Sequence, residues 1–275
     1  MTKKIRIVTH SGGFHTDDVF GVAALLLLLG EENCEIIRSR EPEVQASADF
    51  VLDTGHVYDP EKNRFDHHQS EGAGIRENGI PYAAFGLVWK KFGEKIAKEK
   101  EIAERIDRRL TQPIDAYDNG INLAINKRDD VNPYLIQQVF FALEPVWGLE
   151  QSRDEAFHDA VLFAKNLLAR EIMHETQNMK ARKIVEEAYE NATDKRLVVV
   201  EHTPVIGRLA TNEVLSRYPE PLYVIRKHED VQKWEMVCVV DDLRVFKNRK
   251  DLPAEWAGKH DKDLADITGV PDAVF

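Results

Sequence analysis

Two short apolar runs near the start of the chain, Ile5-Arg6-Ile7-Val8-Thr9 and Phe50-Val51-Leu52, each stop on a side chain that can bind a metal, His10 and Asp53. Runs this short and this rich in branched residues read as strands. Reactive groups at the carboxyl ends of strands mark where open α/β sheets bind their ligands. Glu35-Ile36-Ile37-Arg38 supplies a third strand, and the turn His10-Ser11-Gly12-Gly13-Phe14-His15-Thr16-Asp17-Asp18 feeds a Leu-rich helix through residues 22–29. Helices between such strands make a doubly wound, mainly parallel α/β sheet the most economical fold.

The remaining chain is punctuated by glycine and by helical spacing. Residues 72–80 are Gly-rich and polar and are expected to form a mobile loop near the site. Phe85, Val88, Trp89, Phe92 and Ile96 recur at helical intervals, and a further helix from about 101 ends in Ile114-Asp115-Ala116-Tyr117-Asp118-Asn119-Gly120. Asp115 and Asp118 share a face of that helix, and Gly120 is a stop. Residues 152–191 hold neither Gly nor Pro, while Phe157, Val161, Ala164, Leu168 and Ile172 form a stripe, which predicts a long helix, continuous or broken once, leading out of the first domain. Strand-like runs at 197–200, 222–225 and 236–240, with a helix around 209–217, predict a smaller α/β domain. The expected organisation is a catalytic domain over 1–150, a linking helix over 151–193 and a substrate-binding domain over 194–275.

Composition limits the function classes. A hydrophobic content of 43% in 275 residues supports a real core. A net charge of -11 argues against broad coating of nucleic acid or anionic membrane and leaves room for a local phosphate site near bound cations. Cys34 and Cys238 are too few for a disulfide framework or a thiolate zinc site. A reducing compartment, taken as the cytoplasm, is expected. The apolar run at 22–29 is too short to span a membrane, and the amino terminus lacks the apolar core of a signal peptide.

The chemistry-bearing residues form a spaced series: His10, His15, Asp17, Asp53, His67, His68 and Asp118. Carboxylate oxygens and imidazole nitrogens are the donors that hold hard or borderline divalent metals. His10 alone reads more readily as a hydrogen-bonded structural histidine, but His15 and Asp17 in a tight glycine turn can each reach an ion as well. Asp18 is set aside, because a helix dipole favours an acid there without any metal. Gly12-Gly13 reads as conformational or as a phosphate cradle. Asp53 could cap a turn, Asp66 could orient a histidine, and His56 and Asp59 read as polar loop residues. Trp89 and Phe92 are assigned to the core rather than to base stacking. Lys180, Arg182 and Lys183, and likewise Arg226, Lys227 and His228, read as solvated faces or as contacts for a polyanion.

In this order, Thr9-His10-Ser11-Gly12-Gly13-Phe14-His15-Thr16-Asp17, Val51-Leu52-Asp53, Asp66-His67-His68-Gln69 and Asp115-Ala116-Tyr117-Asp118-Asn119-Gly120 resemble the DHH phosphoesterase superfamily. More narrowly they resemble the melanocyte-proliferating-gene family of metal-dependent hydrolases. Leu252-Pro253-Ala254-Glu255-Trp256 and Gly269-Val270-Pro271 carry that likeness into the second domain. The resemblance implies two Mn²⁺ or Mg²⁺ ions, one held by His10, His15 and Asp53 and the other by Asp17, Asp53, His67 and Asp118, with Asp53 bridging. It implies that His68 faces the substrate phosphate and that the second domain closes over it. The wider superfamily has Asp where His15 stands. The narrower family usually continues into a glycine-rich segment that helps bind substrate, whereas this sequence stops at Phe275, either naturally shorter or truncated there.

The expected function is metal-assisted hydrolysis of phosphodiesters, with RNA or short oligonucleotides cut from an end. Two alternatives stay open. The same centre suits pyrophosphate or a cyclic dinucleotide, and a metal-stabilised module could hold RNA or a partner without cutting it.

Overall fold

The computed structural model describes residues 3–128, 130–228, 232–243 and 247–275. They divide into two compact units, Met1–Glu175 and Thr176–Phe275. The first unit runs β1 (Ile5–Thr9), α1 (Thr16–Leu29), β2 (Cys34–Arg38), α2 (Pro42–Ala46), β3 (Phe50–Leu52), β4 (Tyr58–Asp59) and β5 (Arg64–Phe65). It continues through α3 (Ala84–Ala97), α4 (Lys100–Ile106), a π-helical turn (Asp107–Thr111), α5 (Gln112–Asp118) and α6 (Ile136–Phe141) into α7 (Arg153–Asn191). Its sheet has the order β2-β1-β3-β5-β4, parallel throughout except for the antiparallel edge strand β4. A mixed α/β unit with a parallel-rich sheet and a long helix is therefore present.

Burial explains the strand patterns. Ile7, Val8, Val51 and Leu52 are all buried, with neighbours in sequence pointing to opposite faces, as a sheet covered on both sides requires. The Leu-rich stretch belongs to α1, which is buried from Thr16 through Leu26 and packs on α3. A Cβ on Gly21 would lie 2.8 Å from Leu52 Cδ2, so the glycine lets α1 approach the sheet. Trp89 and Phe92 are core residues: Trp89 Nε1 donates to the Ala103 carbonyl at 3.0 Å, and the Phe92 ring meets Phe50 and Phe65 at 6.2 and 6.0 Å.

Three details differ from the sequence reading. The helix expected from about 101 is interrupted by the π-helical turn, and β4 and β5 were not anticipated because two residues carry no period. The 72–80 segment is not an open loop. Arg76 N donates to Ile80 O, Tyr82 N donates to Gly74 O, and Ile75 pairs with Pro81, so the segment is pinned as a tight hairpin.

In the second unit, β6 (Leu197–Val200), α8 (Arg208–Leu215), β7 (Tyr223–Lys227), β8 (Trp234–Cys238) and α9 (Asp261–Thr268) follow the end of α7. β6 and β7 are parallel and β8 is antiparallel to β7. Val185 of α7 joins Val198, Val200, Val214, Leu215 and Val224 in a separate core. The boundary between the units thus falls inside the long helix. Arg182 and Arg226 are buried and paired with Glu213 and Glu235, so neither is a solvated charge.

Candidate metal centre

Strand register brings the first residues together. Val8 pairs with Val51 across β1 and β3, and two steps further along each strand stand His10 and Asp53. Their side chains meet, with His10 Nε2 3.2 Å from Asp53 Oδ2. β3 pairs in turn with β5, Leu52 opposite Phe65, and Asp53 N donates to Phe65 O at 3.1 Å. That register carries Asp66, His67 and His68 past the same sheet edge. Asp53 holds φ +51, a left-handed backbone that few side chains adopt.

The turn from His10 to His15 is fixed from outside. Gly12 sits at φ +100, and its carbonyl accepts from Arg38 Nη2 at 2.6 Å. The Ser11 carbonyl accepts from Arg40 Nε, and Phe14 N donates to Glu144 Oε1. Gly12 thus holds a backbone conformation that glycine adopts readily. His15 then opens α1, and its N–H donates to Asp18 Oδ1 at 3.0 Å.

Asp17 points inward from the first turn of α1, and Asp118 comes from the last residue of α5. His67 Nε2 lies 3.3 Å from Asp53 Oδ1, 3.1 Å from Asp118 Oδ2 and 3.8 Å from Asp17 Oδ2. Ligand atoms cluster in three groups among the described residues: His10, His15 and Asp53; Asp53, His67 and His68; and His15, Asp17 and Asp118, each within 4.8 Å. All six expected ligands and His68 are therefore at one sheet edge. His68 differs from its neighbour, because its Nδ1 lies 2.8 Å from Asp66 Oδ1 and its side chain is half exposed.

The donor set fits divalent cations. Asp17 Oδ1, Asp18 Oδ2, Asp53 Oδ1 and His67 Nε2 are buried without an aligned hydrogen bond, although His10 Nε2 is only 3.1 Å from Asp18 Oδ2. An unsatisfied buried polar atom costs about 1–3 kcal/mol, a cost that a cation bound beside it removes. Carboxylate oxygen with imidazole nitrogen suits a hard or borderline divalent cation.

The electrostatics agree. Burial pulls His10 down, but Asp18 and Asp53 outweigh it and hold the imidazole up at about 10. Burial likewise opposes His67, which Asp118 and Asp53 raise to about 10. Burial together with the charges of Asp53 and Asp118 pushes Asp17 well above the carboxylate range. Burial acts upward on Asp53 too, yet its contacts with His10 and His67 win and hold it below that range. The hydrogen bond that the His68 ring donates to Asp66 raises His68. Protons here stand in for the positive charge that a cation supplies.

Two residues stand apart from the sequence reading. Asp18, set aside on the dipole argument, is fully buried with one oxygen capping α1 and the other facing His10. The signal was available, since a capping acid uses one oxygen and leaves one over. Asp115 shares the helix face of Asp118 but turns to Arg76, 2.7 Å from its Nη2. Asp66 takes the orienting role, accepting from His56 N, His68 N and the His68 ring.

Comparison with known proteins follows the same line. The profile MYG1_exonuc, described as Uncharacterised protein family (UPF0160), matches residues 6–275. The MYG1 exonuclease of Homo sapiens is 28% identical over 98% of this chain and 79% of its own length. That of Mus musculus is 30% identical over 98% and 78%, and the MYG1 protein of Dictyostelium discoideum is 29% identical over 98% and 89%. No solved structure matches. With the profile running from the first strand to the last residue, the chain belongs to the UPF0160 family of MYG1 proteins.

Proposed function

We propose that this chain is a metal-dependent phosphoesterase of DHH type, an exonuclease acting on RNA or short oligonucleotides with two divalent cations, Mn²⁺ or Mg²⁺. The observation that carries the reading is the convergence on Asp53, whose Oδ2 faces His10 while its Oδ1 faces His67. One carboxylate can thereby serve both His10 with His15 and Asp17 with His67 and Asp118. Cations bound there supply Lewis-acid activation of water and of phosphoryl oxygens. His10, Asp17 and Asp53 are buried and keep bulk water from the floor of the centre, while His15 and His68 stand at its mouth. Asp66 fixes the His68 ring by Nδ1 and favours its protonated form, leaving Nε2–H to donate to a non-bridging phosphate oxygen. Relatives named MYG1 exonuclease support a nuclease. The net charge of -11 suits short or single strands held locally. A reducing compartment, the cytoplasm, is the reading because two cysteines are too few for a disulfide framework.

The test is Mn²⁺-dependent cleavage of end-labelled oligoribonucleotide together with metal content. Asp53→Asn is expected to lower cleavage by more than about 100-fold, since even orienting residues at metal sites are worth 10–100-fold. Wild-type turnover in that variant would discard the assignment. Preference for pyrophosphate or a cyclic dinucleotide in the same assay would transfer the centre to another phosphoester.

A further inference from the structure

Helix α3 starts at Ala84 behind Ala83, whose methyl cannot accept the free amides of the first turn. Those amides are met from elsewhere in the chain. Ala84 N donates to Asp17 Oδ2 at 3.3 Å, and Gly86 N donates to Asp115 Oδ1 at 3.0 Å. One positive helix end thus grips two carboxylates, the candidate ligand Asp17 and the non-ligand Asp115.

Asp115 is fully buried, and its second oxygen meets Arg76 Nη2 at 2.7 Å. The Arg76 side chain is itself largely buried. It reaches Asp107 Oδ1 at 3.1 Å and stacks its guanidinium 4.0 Å over the Tyr82 ring. Gly86 cannot be replaced without disturbing this, because a Cβ there would stand 1.8 Å from Asp115 Oδ2. Asp118 follows Asp115 by three residues on the same face of α5. The Asp115 carbonyl also accepts from Asn119 N at 3.1 Å and Asn119 Nδ2 at 2.8 Å, closing the helix just beyond Asp118.

We propose that Asp115, gripped by the amino end of α3 and by Arg76, is a positioning residue that sets the reach of the Asp118 carboxylate into the metal centre. Arg76 serves this lock rather than a substrate phosphate. An arginine in a glycine-rich segment beside a phosphoesterase centre would ordinarily suggest phosphate, but its guanidinium is committed to two carboxylates and a ring. The proposal rests on reading Asp118 as a ligand.

The experiment titrates metal-stripped protein with Mn²⁺, following the free ion by electron paramagnetic resonance and the fold by circular dichroism. Removing one partner leaves the other charge buried alone, so Arg76→Gln and Asp115→Asn are made singly and together. Folded variants are expected to bind Mn²⁺ at least about ten-fold more weakly. Asp118→Ala weakens binding as well, and combining it with Arg76→Gln/Asp115→Asn is expected to weaken it no further, because Asp115 acts through Asp118. Wild-type affinity in any folded variant overturns the proposal, as do fully additive losses. If none of the three folds, Asp115 is a determinant of the fold and the proposal also fails. A raised KM for oligoribonucleotide in Arg76→Gln with unchanged Mn²⁺ affinity would return Arg76 to the substrate. Should the wild type cleave no oligonucleotide, the nuclease reading falls while the Mn²⁺ titration still decides this one.

Discussion

Asp53 carries its carboxylate on a backbone at φ +51, a conformation that costs a non-glycine residue roughly 1–3 kcal/mol. Asparagine tolerates that conformation as well as aspartate, so Asp53→Asn separates charge from backbone. His68 invites the complementary change. With Nδ1 tied to Asp66 and half of its side chain exposed, His68→Ala is expected to keep bound Mn²⁺ and lose most turnover; loss of metal instead would make His68 a ligand. His10 and His67 set the pH response. Their folded values of about 10 exceed the ordinary 6.5, so their contribution to the metal-free protein is fully present below 6.5 and lost as pH rises toward 10. Asp17, also raised, tilts the curve the same way. The Tm of metal-free protein should therefore fall from pH 7 to 9, and the gap to the Mn²⁺-loaded form should widen. Calorimetry in two buffers should register roughly two protons released per protein at pH 7.5, since imidazole ligands must be neutral. A gap that does not change with pH would show that these histidines do not bind the ion.

Helix α3 illustrates what an element contributes beyond its period. Its apolar positions face Phe50, Phe65 and α4, while its amino end collects Asp17 and Asp115. Gly93 lies one turn beyond Trp89, and a Cβ there would stand 2.8 Å from the indole Nε1 and Cε2. Alanine is the better helix former by about 1 kcal/mol. Even so, Gly93→Ala is expected to destabilise the protein by about 1–2 kcal/mol net, because the rigid ring must shift and release the Ala103 carbonyl. Urea unfolding measures this, and a stabilised variant would refute it. α3 and α7 were legible in the sequence because 14 and 39 residues repeat the helical period many times. β4 and β5, two residues each, were not, and neither was the π-helical turn, which no local pattern announces.

For the molecule as a whole, every candidate ligand belongs to the unit Met1–Glu175, and Thr176–Phe275 has a core of its own. Without substrate, Mn²⁺ should slow hydrogen exchange in residues 10–18, 53–68, 84–86 and 115–118 and leave the strands at 197–238 unchanged. Protection spread evenly over both units would contradict a centre confined to the first. Among the described residues no helix is long and apolar enough to cross a membrane, in keeping with the buried rather than spanning role of the Leu-rich stretch in α1.

Local chemistry determined which residues are donors, where β1 and β3 end and that a long helix leads out of the first unit, while β7 and β8 lie one or two residues away from the runs at 222–225 and 236–240. Those properties depend on side-chain type and on short-range period, both of which are written in order along the chain. Tertiary structure decided that Asp53 faces two histidine partners at once, that Asp115 leaves the centre for Arg76, and that Asp18 joins it beside His10. Each of these follows from the pairing of β1, β3 and β5 and from the close approach of α1, α3 and α5. Contacts between segments tens of residues apart are selected by packing of the whole core, which no stretch of sequence carries alone.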